Sequence, residues 1–149
     1  MKQLIAVFFI MLSTGLFSQT VDYNTKKGFA ANGYDVVAYF DNIAEEGNKK
    51  FKTTFDGVNY KFSSEENLNT FLKDPTTYVP QYGGYCAYAV ALKNTKVSIN
   101  PKSFLIRDGK LYLFYNAWGT NTLELWIKEN QSELIEMANE NWETIKFKK

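Results

Sequence analysis

The sequence predicts an α+β domain: two antiparallel β-hairpins packed against short helices, with a helical C-terminus. Two observations carry the hairpins. Asp56-Gly57 and Asp108-Gly109 each separate two short apolar runs, and aspartate-glycine between such runs is a strong two-residue turn signal. A third observation carries the helices. Apolar residues recur at helical spacing after Ser63 and again from Leu123 to Trp142.

Taken in order, the chain opens with Lys2, then an apolar run from Leu4 to Leu12, then the Ser/Thr/Gly-containing segment to Ser18. That run is too short to span a bilayer, and polar sequence follows at once, which is the layout of a secretory signal peptide. The expected organisation is a signal over 1–18, released near Ser18–Gln19, a loose polar leader over 19–32, and one domain over 33–149. Localisation is then expected to be secreted or periplasmic, without a stable membrane anchor. Asp35 to Phe40 reads as a short apolar turn or helix, and Asp41 to Lys50 as a charged loop.

Phe51 to Phe55 and Val58 to Phe62 form the first expected hairpin, with Val58, Tyr60 and Phe62 on one face. Ser63 and Glu66 fit a capping box at the start of a helix. Leu68, Phe71 and Leu72 give that helix a core stripe, and Asp74-Pro75 ends it. Ala87 to Leu92 reads as another short helix. Phe104 to Arg107 and Lys110 to Tyr115 form the second hairpin. Leu111 to Tyr115 is apolar on both faces, as a strand covered on both sides must be. Asn121 and Glu124 suggest a further cap. Leu123, Trp126, Ile127, Leu134, Met137, Ala138, Asn141 and Trp142 form the last stripe, with a break near Gln131-Ser132.

The chain carries 17 Lys and Arg against 16 Asp and Glu, with no histidine and one cysteine. Lys2 lies in the expected signal, so the remainder balances. There is no run of lysines interleaved with aromatics, which argues against nucleic acid as a partner. An anionic membrane surface has equally little to attract. A lone cysteine in an exported chain cannot close an internal disulfide. It is a buried thiol, an intermolecular bridge, or a reactive or metal-binding sulfur.

That cysteine lies in Pro80-Gln81-Tyr82-Gly83-Gly84-Tyr85-Cys86-Ala87-Tyr88-Ala89-Val90. Tyr82, Gly83, Gly84, Tyr85, Cys86 and Tyr88 are the candidate ligand-binding residues. Tyrosines offer flat apolar faces with polar tips, suited to a small pocket. Tyr78 and Trp118 could extend such a pocket with Cys86 as its floor, and Tyr34 and Asp35 could add polar groups. The same tyrosines could instead be core and rim packing.

Tyr34-Asp35-Val36-Val37-Ala38-Tyr39-Phe40, Tyr60 to Asn67, Phe71, Asp74-Pro75, Tyr78, Pro80 to Val90, Asp108 to Leu113 and Asn141-Trp142 occur in an order and spacing that resembles the secreted single-domain YHS-domain proteins. The resemblance runs from about Gly33 to Trp142. It implies a small YHS-like fold, and it implies metal binding through relatives that carry paired cysteines. Here Phe62-Ser63-Ser64 stands where a second cysteine is expected. Copper or zinc are the ions to consider, with Cys86 as the metal ligand. Zinc wants about four N/S ligands, and copper(I) wants soft sulfur. Beyond Cys86 the chain offers carboxylates such as Asp35, Glu65 and Glu66, and Met137 on an apolar stripe. A dimer would bring two sulfurs together.

The first functional expectation is therefore a secreted, non-enzymatic YHS-type domain binding a soft metal ion or small ligand at a Cys86-centred site. The second is an accessory or interaction domain in which Cys86 is a buried core thiol. The third is a thiol-dependent enzyme, which would need an activated Cys86 without a histidine base. Partners would be a small ligand or a protein.

Overall fold

The computed structural model describes residues 19–148; the signal peptide expected over 1–18 lies outside them. The architecture is mixed α+β, with small sheets, short helices and a long C-terminal helix.

Both aspartate-glycine hairpins form. Strands β3 (Asn48–Phe55) and β4 (Val58–Phe62) pair antiparallel with Phe55 opposite Val58, and a register shift falls between Asn48 and Lys52. Val58, Tyr60 and Phe62 all point into the core. Strands β5 (Asn100–Arg107) and β6 (Lys110–Phe114) repeat the design, with Arg107 opposite Lys110. Both turn residues have positive φ in each hairpin, at Asp56-Gly57 and Asp108-Gly109. That is the backbone a tight two-residue turn demands.

The segment 19–32, expected as a loose leader, is instead built into the fold. Strands β1 (Thr25–Lys26) and β2 (Phe29–Ala30) make a third hairpin, and β2 lies parallel to β4 at Phe29–Asn59. The four-stranded sheet runs β1-β2-β4-β3. Val21 bridges Phe147, while Asp22 N–H donates to Lys146 O and Lys148 N–H to Thr20 O. The first and last described residues are thus zipped together.

Helix α1 (Glu65–Lys73) is capped one residue later than expected. The Ser64 hydroxyl accepts from Asn67 N–H at 3.1 Å, leaving Ser63 free for another role described below. Phe71 is the buried residue of the stripe and Leu68 is partly buried, but Leu72 faces solvent. Pro75 ends α1 and opens α2 (Pro75–Tyr78), where its fixed φ suits a first helical position. Helix α3 (Ala87–Lys93) follows the glycine-rich block. A small hairpin, β7 (Asn116–Ala117) with β8 (Thr120–Asn121), leads into α4 (Thr122–Lys128). Asn121 caps α4 by accepting from Leu123 N–H at 3.2 Å, and its amide donates to Glu124 at 3.0 Å. The helical break falls at Glu129–Asn130 rather than Gln131-Ser132, because Asn130 caps α5 (Gln131–Ile145). Ile127, expected on the stripe, is exposed.

The core has two halves, and β6 divides them. Leu111 and Leu113 join the half that holds Val36, Tyr39, Phe62, Phe71 and Cys86. Tyr112 and Phe114 join the half that holds Tyr82, Val90, Trp126, Leu134 and Ala138. Alternate residues of a strand face opposite sides, so one strand serves both. Each such large apolar side chain contributes about 1.5–3 kcal/mol on burial.

Candidate functional site

Pro80 to Val90 is buried or half-buried throughout. Gln81–Gly84 form a tight turn in which Tyr82 sits at φ +54° and Gly83 at φ +60°. A bulky residue at positive φ is uncommon and costs on the order of 1–3 kcal/mol. The surroundings hold it there. The Tyr82 hydroxyl donates to Asn139 Oδ1 at 3.0 Å, and its ring packs against Tyr112 and Trp142. Asn24 staples the same turn, its N–H donating to Gly83 O and its side-chain amide to Gly84 O. Gly83 is needed for a close approach: a Cβ there would stand 2.8 Å from Asp22 O and 2.9 Å from Trp142 Cη2.

Tyr85 is half-buried against Trp142 and donates its hydroxyl to Asp22 at 3.0 Å. Asp22 also accepts from Lys96 Nζ at 2.9 Å. Burial pushes the Tyr85 phenol up to about 12, helped by the hydrogen bond to Asp22 and the nearby carboxylate charge. Tyr88 is partly buried and packs against both halves of the core.

Cys86 is 0 % exposed. Its N–H donates to Val97 O, its carbonyl accepts from Val90 N–H, and it makes a parallel bridge with Leu113. Its sulfur lies 3.3 Å from Thr122 Oγ1. Thr122 gives its one hydroxyl hydrogen to Tyr115 O at 2.8 Å, so Cys86 S–H is the donor in the sulfur contact. The thiol is enclosed and satisfied.

That geometry answers the metal expectation. Among the described residues no group of three His, Cys, Asp or Glu side chains is placed to hold an ion. The donor nearest the Cys86 sulfur is a hydroxyl committed elsewhere. Glu65 and Glu66 lie exposed on the first turn of α1, and Met137 packs in the second half of the core. The residues present do not fit copper or zinc at Cys86.

The expected pocket of Tyr78, Tyr82, Tyr85, Tyr88 and Trp118 over Cys86 does not assemble. Tyr78 packs on Phe40 and Phe71, while Trp118 projects from the β7–β8 turn at 97 % exposure. Asp35 is fully buried elsewhere and accepts five hydrogen bonds. Val37 and Ala38 N–H reach one oxygen; Ser63 N–H, Ser63 Oγ and Asn67 Nδ2 reach the other at 2.7–2.9 Å. It ties the Tyr34–Tyr39 segment to the start of α1. No part of this arrangement is offered to a ligand.

What the block does help build is a different cavity, a cleft of about 780 Å³. Tyr82 and Gly83 lie on its wall with Pro80 and Gln81. Tyr23, Phe55, Tyr60 and Trp142 complete the aromatic lining, and Asp56, Asn139, Glu143 and Lys146 lie among its polar groups. Many of those polar groups are already paired. Tyr23 donates its hydroxyl to Asp56, and Lys146 pairs with Glu143. Burial pushes the Tyr23 phenol up to about 12, with the Asp56 hydrogen bond and charge adding to it. Sequence reading singled out Tyr82 and Gly83 of this cleft. It missed Tyr23, Phe55, Tyr60 and Trp142 as site residues, although the last three already stood out as strand and helix apolar positions.

Residues 43–82 match the family model described as YHS domain. The match spans β3, β4, α1 and α2 and stops at Tyr82, so Cys86 lies beyond it. No curated protein and no solved structure matches the chain.

Proposed function

Because the match over residues 43–82 supports a YHS-domain protein, we propose that this chain is an exported, non-catalytic binding module. Its ligand site is the cleft in front of Tyr82, and Cys86 is a core thiol beneath it. The observation that carries the reading is the cleft itself: about 780 Å³, walled by five aromatic rings, with a strained Tyr82 held in its side. Strain of this kind persists where the surroundings over-determine a residue, and it concentrates at ligand sites. Pockets of this size and lining take small molecules. With its charged groups internally paired, the cleft suits a compact, largely apolar, uncharged ligand rather than an ion.

The non-catalytic part of the reading is supported by the absence of histidine from the chain and by the enclosure of its one thiol. Export is supported by the apolar run Leu4 to Leu12. Among the described residues no helix is long and apolar enough to cross a membrane. Intact mass of the protein recovered outside the cytoplasm tests this directly: a species beginning near Gln19 is expected, and an uncleaved chain retained inside would overturn it.

For the cleft, the chain from Gln19 onward is titrated with a library of aromatic and aliphatic fragments and followed by amide chemical shifts. Saturable shifts are expected at Phe55, Tyr82 and Trp142, and their loss in Gln81→Trp, which fills the cleft from its rim. Shifts scattered away from the cleft, or none, would refute the site. Titration with copper(I) and zinc covers Cys86: wild type and Cys86→Ser are expected to behave alike. A stoichiometric ion lost in Cys86→Ser would restore the metal reading.

A further inference from the structure

A second cavity, of about 310 Å³, is lined by residues of the β1–β2 hairpin, β3 and β4. Five charged side chains line it: Lys26, Lys27, Lys49, Lys61 and Glu46. In a chain whose charges nearly balance overall, four ammonium groups face one carboxylate here. The sequence hides this cluster, because its lysines come from three separate segments brought together by the parallel β2–β4 contact and the β3–β4 ladder.

Lys61 is the fixed member. Its side chain is only 11 % exposed, and its Nζ stands 2.9 Å from Glu46 Oε1 and 5.5 Å above the Phe29 ring. Gly33 makes room for it, since a Cβ at that position would come within 2.4 Å of Lys61 Cε. Glu46 is thereby committed to Lys61. Its carboxyl is held below the usual range first by the Lys61 hydrogen bond and charge, and further by Lys27 and Lys26. Lys26, Lys27 and Lys49 have no ion pair of their own among the described residues. The cavity therefore presents a net charge of about +3, with Phe29 and Tyr34 giving it an apolar side.

We infer that this cavity is an anion site for a small molecule bearing a multivalent oxyanion, phosphoryl or polycarboxylate. Lys61 supplies the preset contact, and Lys26, Lys27 and Lys49 close around the charge. Ammonium groups bind such oxyanions as point charges. The wall of the cavity carries no residue of the Tyr82 cleft, so this site stands or falls independently of the function proposed above.

The isotope-labelled chain from Gln19 onward is titrated with pyrophosphate, citrate and acetate at low and at physiological salt, reading the amides of Lys27, Phe29, Asn32 and Lys49. Saturable shifts are expected there with the multivalent ions and weaker ones with acetate, all diminishing with salt. Binding of pyrophosphate alone assigns a phosphoryl ligand; binding of both assigns the oxyanion class. Lys27→Gln and Lys49→Gln, at exposed positions, should each weaken binding about two- to five-fold, the range of an exposed ion pair. Lys128→Gln on α4 should leave it unchanged. Absence of saturable shifts at these amides, or equal weakening by Lys128→Gln, would overturn the inference.

Discussion

Replacing Gly83 by alanine tests how the Tyr82 turn is held. Gly83 has φ +60°, and a Cβ added there meets Asp22 O at 2.8 Å and Trp142 Cη2 and Cζ2 at 2.9 and 3.1 Å. Two costs follow. The left-handed backbone costs a residue with a Cβ about 1–2 kcal/mol. Pushing the added carbon into packed neighbours costs about 1–3 kcal/mol more, since one neighbour is backbone and the other an indole wedged against Tyr82 and Tyr85. The expected loss is thus about 2–5 kcal/mol. For a domain of this size it lowers Tm by roughly 7–18 °C. Gly28→Ala is the control: its φ is +82°, but nothing lies within 4 Å of the added carbon, so only the backbone cost of about 1–2 kcal/mol applies. Urea unfolding of both variants at one pH, with matched slopes, measures the difference. If Gly83→Ala is no more destabilised than Gly28→Ala, then Trp142 is not packed against the turn as described, and the wall of the cleft is wrong.

The Asp35 carboxylate makes a second prediction. In Asp35→Asn an amide group must face N–H donors whichever way it turns, because both oxygens accept from them. A loss of about 3 kcal/mol or more in urea unfolding is expected, and a loss under 1 kcal/mol would mean the five bonds do not coexist. Stability should also depend on pH at both extremes. The Tyr23 and Tyr85 phenols are raised to about 12 by burial and by their carboxylate partners, so folding holds their protons. Their contribution is complete below the unfolded phenol value of about 10 and is lost as pH rises from there through about 12. Asp22 behaves in the opposite sense. Burial raises its value, but the hydrogen bonds from Lys96 and Tyr85 and the lysine charges outweigh this and lower it, so its contribution disappears as pH falls through the folded value. Phenolate absorbance of the native protein, followed alongside urea unfolding, reads the alkaline arm. Complete ionisation of all tyrosines near pH 10 with no loss of stability would contradict it.

The features legible in the sequence are those with local causes. Asp56-Gly57 and Asp108-Gly109 announce their hairpins because the turn geometry is written in two residues. Leu111 to Phe114 announces a strand covered on both faces because every position is apolar, although its sheet has only two strands and the strand is not central. The features that were not legible depend on partners far along the chain. Ser63 looked like a helix cap, but Asp35, 28 residues earlier, claims both its N–H and its hydroxyl, and the cap passes to Ser64. Strands β1 and β2 have two residues each, too few for a period, and they exist because β4 accepts β2 alongside it. Cys86 drew attention as the one sulfur in a tyrosine-rich block. The block does belong to a site, but through Tyr82 and Gly83; three positions after Gly83, Cys86 takes the place of a core residue. Leu72 and Ile127 carried helical spacing yet face solvent, because a helix buries only the arc its neighbours cover.

The pairing of Thr20–Asp22 with Lys146–Lys148 has a consequence for how the molecule assembles. Among the described residues the first bridged segment finds its partner in the last, so the ring of contacts from Asp22 through Lys96 to Lys146 and Phe147 closes only when the final residues are available. A ribosome or a translocation pore still holding the C-terminus would keep that seam open. Contacts between the two ends of the described residues carry a large loop-closure cost and slow folding, so the seam acts as a topological clasp. A circular permutant that fuses Gln19 to Lys148 with a short linker and opens the chain at the Asp108-Gly109 turn would convert this long-range closure into a local one.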